Sequence, residues 1–247
     1  MQPVERALDV ALIVMQNGGS TAMADRTFQN VIKGCKQNSV TAAWRLDFVA
    51  ANCVAEGRSS TILRPVGPIG VNLNRASEAE ILGERVARGE VGTAALDAEI
   101  ERIKALATPY NRWVMVAAAA CTAAFFSRIP GGDWGALGIA FAAAGVGQFV
   151  RSLLQSRRLA VAPVTLVCGV LSAFIACIGL RMGLSQTAPA TLIASVIYMV
   201  PGLPLINGFV GMVSQKYMFV GLERIAAAVF LFLVLAVAIA LAIAVVE

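Results

Sequence analysis

Between Trp113 and Glu247 the chain carries only ten charged side chains in 135 residues, and they cut the stretch into apolar blocks of membrane length. A bilayer core offers no water to a backbone N–H or C=O, so apolar segments of this length must be helices that satisfy their own backbone. The fold class that follows is an α-helical polytopic membrane protein. A hydrophobic fraction of 58% and 22 glycines suit closely packed membrane helices.

The charge is unevenly spread. Residues 1–112 hold thirteen Lys/Arg and twelve Asp/Glu, the mixed surface of a water-soluble domain, whereas the remainder holds seven basic residues against three acidic ones. The net charge of +5 therefore comes mainly from loops of the membrane half, where a basic excess reflects topology rather than nucleic-acid binding. The five cysteines (Cys35, Cys53, Cys121, Cys168, Cys177) form no CxxC pair and the chain has no histidine, so neither a metal site nor a disulfide framework is expected. The first residues run straight into an amphipathic pattern with Glu5, Arg6 and Asp9, unlike a cleaved leader.

The division expected is an α+β cytoplasmic domain over 1–108 and a transmembrane domain over 109–247. Val4, Ala7, Leu8, Ala11, Leu12 and Met15 recur at helical spacing. Asn17-Gly18-Gly19-Ser20-Thr21 then makes a turn, and Ala24, Phe28, Val31, Ile32 and Cys35 continue as a second stripe, predicting a helical hairpin. From Val40 the period becomes two, with Val40, Ala42, Trp44, Leu46 and Phe48 on one face. Short strand-like runs follow at 53–55 and 61–63. Ser77 and Glu80 fit a capping box opening a helix to about Arg88, and Leu96, Ile100, Ile103 and Ala107 mark another, which ends near Pro109.

About five spans are expected, near 113–127, 134–150, 159–180, 188–207 and 225–246. The first two are short, at roughly 25 Å or less against a core of about 30 Å, and resemble a tight hairpin around 128–134. The uncharged run from Met182 to Gln215 is too long for one span and reads as a broken segment plus a partly buried loop. With the soluble domain inside, its side carries Arg151, Arg157, Arg158, Lys216 and Arg224 against Arg128 and Arg181 opposite. That asymmetry places the N-terminal domain in the cytoplasm and the Glu247 tail outside.

The segment richest in chemistry is Tyr198 to Gly208. Pro201, Gly202 and Pro204 interrupt backbone bonding, while Ser195, Tyr198 and Asn207 add polar side chains; broken helices of this kind hold transport sites. The plainer reading is a packing kink, with Asn207 bonding another helix. Asp133, in Gly131-Gly132-Asp133-Trp134, is a second candidate as a gating or coupling carboxylate, although an N-cap is the commoner role for Asp before an apolar helix. Arg151, Arg157 and Arg158 read first as positive-inside anchors and second as attractors of an anionic solute.

Absences prune the enzymes. A Ser-His membrane protease needs a histidine, a paired-aspartate type needs two intramembrane Asp, and no phosphate-binding G-x-x-x-x-G-K-[ST] loop is present. Secondary transport or passive export, without a cofactor, remains, and a proton relay would need a partner's carboxylates.

In the order of these features the chain resembles the N-terminal half of the threonine/serine exporter family. The resemblance rests on Asn17-Gly18-Gly19-Ser20-Thr21, Val71-Asn72-Leu73 with the acidic helix 77–107, Gly131-Gly132-Asp133-Trp134, and Val200-Pro201-Gly202-Leu203-Pro204-Leu205-Ile206-Asn207-Gly208. It implies export of small amino acids, notably threonine and serine, across the bacterial inner membrane. It also implies a large subunit working with a separately encoded small membrane subunit, and Pro201, Gly202, Pro204 and Asn207 as the positions to carry over. The departures are the missing second membrane half and Gly-Ser where Gly-Ala is more usual in the first turn. The alternatives are a small-dicarboxylate exporter subunit, a homo-oligomer in place of the paired subunit, and a non-transporting membrane scaffold.

Overall fold

The change of period at Val40 and the onset of apolar blocks after Arg112 both survive into three dimensions. A computed structural model describes all residues except Met1, Asn38, Glu56, Gly57, Ser156, Arg158 and Glu247. Arg158 and Glu247, used above for orientation, therefore lie outside the described residues. The elements are α1 (Gln2–Gln16), α2 (Thr21–Gly34), β1 (Val40–Trp44), β2 (Phe48–Ala55), β3 (Arg58–Pro65), α3 (Leu73–Ala87) and α4 (Thr93–Ala105). They continue with α5 (Arg112–Arg128), α6 (Trp134–Gln155), α7 (Val161–Arg181), α8 (Ala188–Val196), α9 (Gly202–Val213) and α10 (Met218–Val246). Single 3-10 turns stand at Ile197–Met199 and Gln215–Tyr217. The chain divides into two compact units. Unit 1 is Met1–Pro109 with Gly202–Ala227, and unit 2 is Tyr110–Pro201 with Ala228–Glu247.

In unit 1 the predicted hairpin forms, and its two stripes are buried with the exception of the half-buried Cys35. Val10, Ile13 and Val14 are buried as well, so the second half of α1 is covered on nearly every side and α1 is the central helix of the unit. Its exit turn needs Gly18 at φ +92°, a backbone conformation that side chains with a Cβ resist. The next N–H, of Gly19, closes on the Val14 carbonyl at 2.9 Å, and Ser20 caps α2 by accepting from the Met23 N–H at 3.1 Å.

The three strands form one antiparallel sheet in the order β1-β2-β3, with Ala42 opposite Ala51 and Trp44 opposite Val49. Trp44, Val49 and Ala51 enter the core, while Asn52 donates to the Ser59 and Thr61 hydroxyls at the surface. Two boundaries differ from expectation. β1 stops at Trp44, so Leu46 is half-buried in the connection, where its N–H donates to Glu223 Oε2 at 3.0 Å instead of continuing the strand face. The third helix starts four residues before the capping box, because Asn72 takes the N-cap, accepting from the Arg75 N–H at 3.2 Å.

The expected division at residue 108 also differs. Gly202–Ala227 joins unit 1, where Val220 is part of the core and Tyr217 packs against it. α9 and the start of α10 approach so closely that a Cβ on Gly221 would stand 2.6 Å from the Gly208 carbonyl oxygen and 2.7 Å from the Met212 nitrogen. Glycine there is a condition of the packing.

Unit 2 is helical throughout. Its interior is built from small side chains: Ala123, Ala140, Ala144 and Ala194 form one cluster, and a Cβ on Gly169 would reach Ala238 at 2.9 Å. The bulky residues Phe125, Phe230, Leu233 and Val245 point outward. With no hydrophobic drive between helices in lipid, close backbone approach through small residues is how such bundles hold together. α5 and α6 meet at the expected turn, where the Arg128 guanidinium lies 4.7 Å from the Trp134 ring and donates to the Gly132 carbonyl.

Among the described residues, three helical stretches are long and apolar enough to cross a membrane alone: Trp134–Gln155, Val161–Arg181 and Gln215–Val246. Ala188–Met199 with Gly202–Val213 makes a fourth only if the pair is one broken span. The structure thus carries three or four candidate spans where about five were expected. α5, at 17 residues, rises about 25 Å and falls short of the hydrocarbon core. The expected fourth span is two helices, α8 in unit 2 and α9 in unit 1, with Val200 extended at φ −60° and ψ 128°.

Candidate functional site

The helix break is chemically active, though with partners that the sequence did not reveal. Pro201 has no N–H to offer the Tyr198 carbonyl, and the helix has already tightened into a 3-10 turn at Ile197–Met199. The carbonyl accepts instead from Arg151 Nη1, on α6, at 3.2 Å. A guanidinium at the exposed carbonyl end of a helix is favoured both as a donor and by the helix dipole. Arg151, expected as a surface anchor, is therefore a bundle residue.

The other end of Tyr198 is held as firmly. Its hydroxyl lies 2.9 Å from Ser172 Oγ on α7, and that serine also donates to the Ala143 carbonyl at 3.1 Å. The ring's place exists because residue 147 is glycine: a Cβ there would overlap both the Tyr198 hydroxyl and Ser172 Oγ. Beside Arg151 is a cavity of about 30 Å³ lined by Arg151, Gln155, Leu159, Val161, Val164 and Thr165, room for about one water. Ser195, the other α8 candidate, is fully buried and returns its hydroxyl to the Leu192 carbonyl at 2.7 Å. It is spent on its own helix.

Asp133 is the N-cap of α6. Its Oδ1 accepts from the Ala136 N–H and its Oδ2 from the Gln186 N–H, both at 2.7 Å, while its own N–H donates to Thr187 Oγ1 at 3.1 Å. These backbone donors, Ala136 first and then Gln186, with Ser185, hold its carboxyl below the usual range. A carboxylate so occupied ties two loops together.

Asn207 stands in unit 1. Its Nδ2 donates to the Gly18 carbonyl at 2.9 Å, and a Cβ on Gly18 would come within 2.7 Å of Leu203. The two sequence motifs Gly18-Gly19 and Gly202 to Gly208 thus recognise each other. Pro204 lies in the first turn of α9, where a helix needs no N–H donor, and Pro201 is buried just before it. Tyr198 and Asn207, nine residues apart, serve different units with different partners, so the described contacts do not assemble Ser195, Tyr198, Pro201, Gly202, Pro204, Asn207 and Asp133 into one site.

Sequence reasoning also missed a polar cluster in unit 1. The buried Asp25 accepts from Trp44 Nε1 at 2.9 Å and the Tyr217 hydroxyl at 2.6 Å, and it pairs with Lys216. Burial pushes this carboxyl up, but the bonds from Lys216, Tyr217 and Trp44 outweigh it and hold it below the ordinary carboxylate value. Glu223 pairs with Arg45 as well as with the Leu46 N–H. The sequence signal for Asp25 was an acid on the same helix face as Phe28 and Ile32.

No group of three or more His, Cys, Asp or Glu able to hold a metal occurs among the described residues. No solved structure matches this chain. Two curated relatives are each 26% identical: the "Probable succinate transporter subunit YjjP" of Klebsiella aerogenes, over 91% of this chain and 86% of the relative, and its namesake in Escherichia coli strain K12, over 91% and 87%. Residues 5–246 match the family described as "Putative threonine/serine exporter", ThrE. With nearly its whole length matched and its two glycine-rich motifs joined by Asn207, the chain belongs to the threonine/serine exporter family.

Proposed function

We propose that the chain is the large subunit of a bacterial inner-membrane exporter, with unit 1 cytoplasmic, that moves a small carboxylate-bearing metabolite with a separately encoded membrane subunit. The family match and the subunit names of the relatives support the coarse reading. The observation that carries the finer one is the Arg151–Tyr198–Ser172 cluster, which offers a cation and two hydroxyls inside a bundle of low polarity.

Charge orders the substrates. The carboxylates of unit 2 are Asp133 and Glu247; the first is consumed as a helix cap and the second lies outside the described residues. A zwitterionic amino acid would bring an ammonium for which the cluster has no counter-charge. One carboxylate of a dicarboxylate instead meets the Arg151 guanidinium, and the other takes the Tyr198 and Ser172 hydroxyls as donors once the bundle opens and their bonds to each other and to the Ala143 carbonyl break. A small dicarboxylate is therefore placed ahead of threonine and serine, which were the first expectation. The amino-acid reading keeps support from the family description and from the Tyr198 and Ser172 hydroxyls, which could bond a hydroxylated side chain. A cavity of about 30 Å³ is smaller than either solute, so loading requires α6, α7 or α8 to move apart.

Efflux of labelled succinate and labelled threonine from cells carrying the chain and its partner tests this at matched membrane abundance. Arg151→Gln is expected to lower succinate efflux tenfold or more, and Tyr198→Phe and Ser172→Ala severalfold each. Normal efflux in all three would move the solute path elsewhere, and threonine efflux with no succinate efflux would reverse the order of substrates.

A further inference from the structure

Arg224 is the most deeply buried cation of unit 1, at 4% exposure, and it is poorly served. Its Nη2 makes a long bond of 3.4 Å to the Gly19 carbonyl, and its Nε has no acceptor among the described residues. The adjacent acid is committed elsewhere: Glu223 pairs with Arg45 and accepts from the Leu46 N–H. A guanidinium taken out of water without a counter-charge is strongly disfavoured, and an anion beside it would relieve that penalty.

The surroundings add to the positive potential. The Gly19 carbonyl that Arg224 reaches stands immediately before Ser20, the N-cap of the 14-residue α2. A helix start presents N–H groups without helical acceptors and the positive end of the dipole. Ser20 Oγ serves the Met23 N–H, and the Ala24 N–H bonds the Ser20 carbonyl. The N–H groups of Thr21 and Ala22 have no acceptor within the helix. A buried fork-shaped cation and a helix start at one turn are two donors of the kind that hold oxyanions.

We propose that Arg224 and the amino terminus of α2 form an anion site in unit 1 for a small oxyanion, a carboxylate or phosphate, distinct from the Arg151 cluster of unit 2. Asn207 holds the Gly18 carbonyl and Arg224 reaches that of Gly19 weakly, so an anion bridging Arg224 and the start of α2 also secures Gly202–Ala227 on the α1–α2 hairpin.

Thermal unfolding of the purified full-length chain carrying Arg151→Gln, which removes the cation of the proposed solute path, is followed in detergent with sodium succinate, sodium phosphate or sodium chloride at matched ionic strength, and tests the site. A Tm that climbs with the logarithm of succinate or phosphate concentration, and not with chloride, is expected, and the more effective of the two identifies the source of the oxyanion. Arg224→Met should abolish the climb, and Arg224→Lys, which keeps the charge and loses the fork, should weaken it at least tenfold in apparent Kd. If Arg224→Met does not fold, Arg224→Lys alone decides. Because Arg151→Gln is present throughout, succinate bound at the proposed solute path does not contribute to the climb, and failure of that path would appear only in efflux. No oxyanion-specific climb in the Arg151→Gln chain, or an unchanged climb when Arg224→Lys is added, each overturns the proposal.

Discussion

The two units solve the same packing problem with opposite materials. Unit 1 fills its interior with Phe28, Leu8, Met15, Leu82, Leu96 and Ile103, the currency of a core formed in water. Unit 2 buries Ala140, Ala144, Gly147, Ser172 and Ala194 and turns Phe125, Phe230 and Leu233 outward. The difference follows from the solvent: a large apolar side chain gains by leaving water, whereas in lipid it gains little by moving inward and keeps backbones apart. Polar groups follow the same division. Unit 1 uses buried ionic groups to bind its discontinuous segment, while unit 2 satisfies freed backbone groups with Arg151 and Asp133 at helix ends.

The sharpest way to break this comparison is to truncate one phenylalanine in each unit. Phe28→Ala removes a fully buried ring that meets Trp44 edge-on at 6.1 Å, and should cost about 3–5 kcal/mol. Phe230→Ala removes a ring that is 55% exposed and should change stability by under about 0.5 kcal/mol. Thermal melts and limited proteolysis of the two variants in one detergent decide it; equal losses would mean that the outward face of α10 is a packed interface.

Glycine gives the next contrast, this time within unit 2. Gly147→Ala puts a methyl group where the Tyr198 hydroxyl and Ser172 Oγ already stand, and overpacking of that kind costs about 1–3 kcal/mol. Gly138→Ala, on the same helix with nothing within 4 Å of the new Cβ, should be neutral or stabilise by up to about 1 kcal/mol through helix propensity. If both variants melt together, the Tyr198 ring is not seated against α6.

A smaller effect is expected where Asn207 meets Gly18. Asn207→Leu leaves the Gly18 carbonyl without its donor and should cost about 1–2 kcal/mol, seen as faster proteolysis of the Gly202–Ala227 segment. Export should fall through weaker docking of that segment rather than through lost solute contact. A drop in efflux with unchanged proteolysis would restore Asn207 to the solute path.

What the sequence showed depended on whether a signal was local. The α1 and α2 stripes were readable because burial recurs at helical spacing, and Trp44 because alternation places it inward. Leu46 was misplaced because alternation carries no mark for where a strand stops, and Ser77 because Asn72 offered an earlier cap to the same helix. The broken segment was legible as a break, since Pro201 and Gly202 are explicit, but a break does not disclose that its two sides serve different units. Arg151 looked like an anchor because a charge near the end of an apolar run usually is one; only the position of the Tyr198 carbonyl reassigns it. Gly147 and Ser172 had no signal beyond being small. Arg224 was counted only as a topology charge, although with Glu223 it is one of two charges in the otherwise apolar α10.

The smallest predicted effect tests whether the ionic groups of unit 1 hold it together. Asp25 has its carboxyl held below the ordinary range by Lys216, Tyr217 and Trp44 in spite of burial. An acid with a depressed folded value adds stability that is present above its unfolded value, about 3.9, and is lost as pH falls through the folded value. Because Lys216 is more than half exposed, solvent screens the pair, and the contribution at neutral pH should be of order 1 kcal/mol. Asp25→Asn should therefore lower the melting temperature by a few degrees at pH 7, and the gap to wild type should close as pH falls below about 4. In unit 2 the Ser172 hydroxyl bonds the Tyr198 hydroxyl without a charge, so Ser172→Ala should show a gap that does not vary with pH over the same range. A gap for Asp25→Asn that stays constant down to pH 3 would mean that hydrogen-bond geometry, rather than charge, fixes Gly202–Ala227 to the rest of its unit.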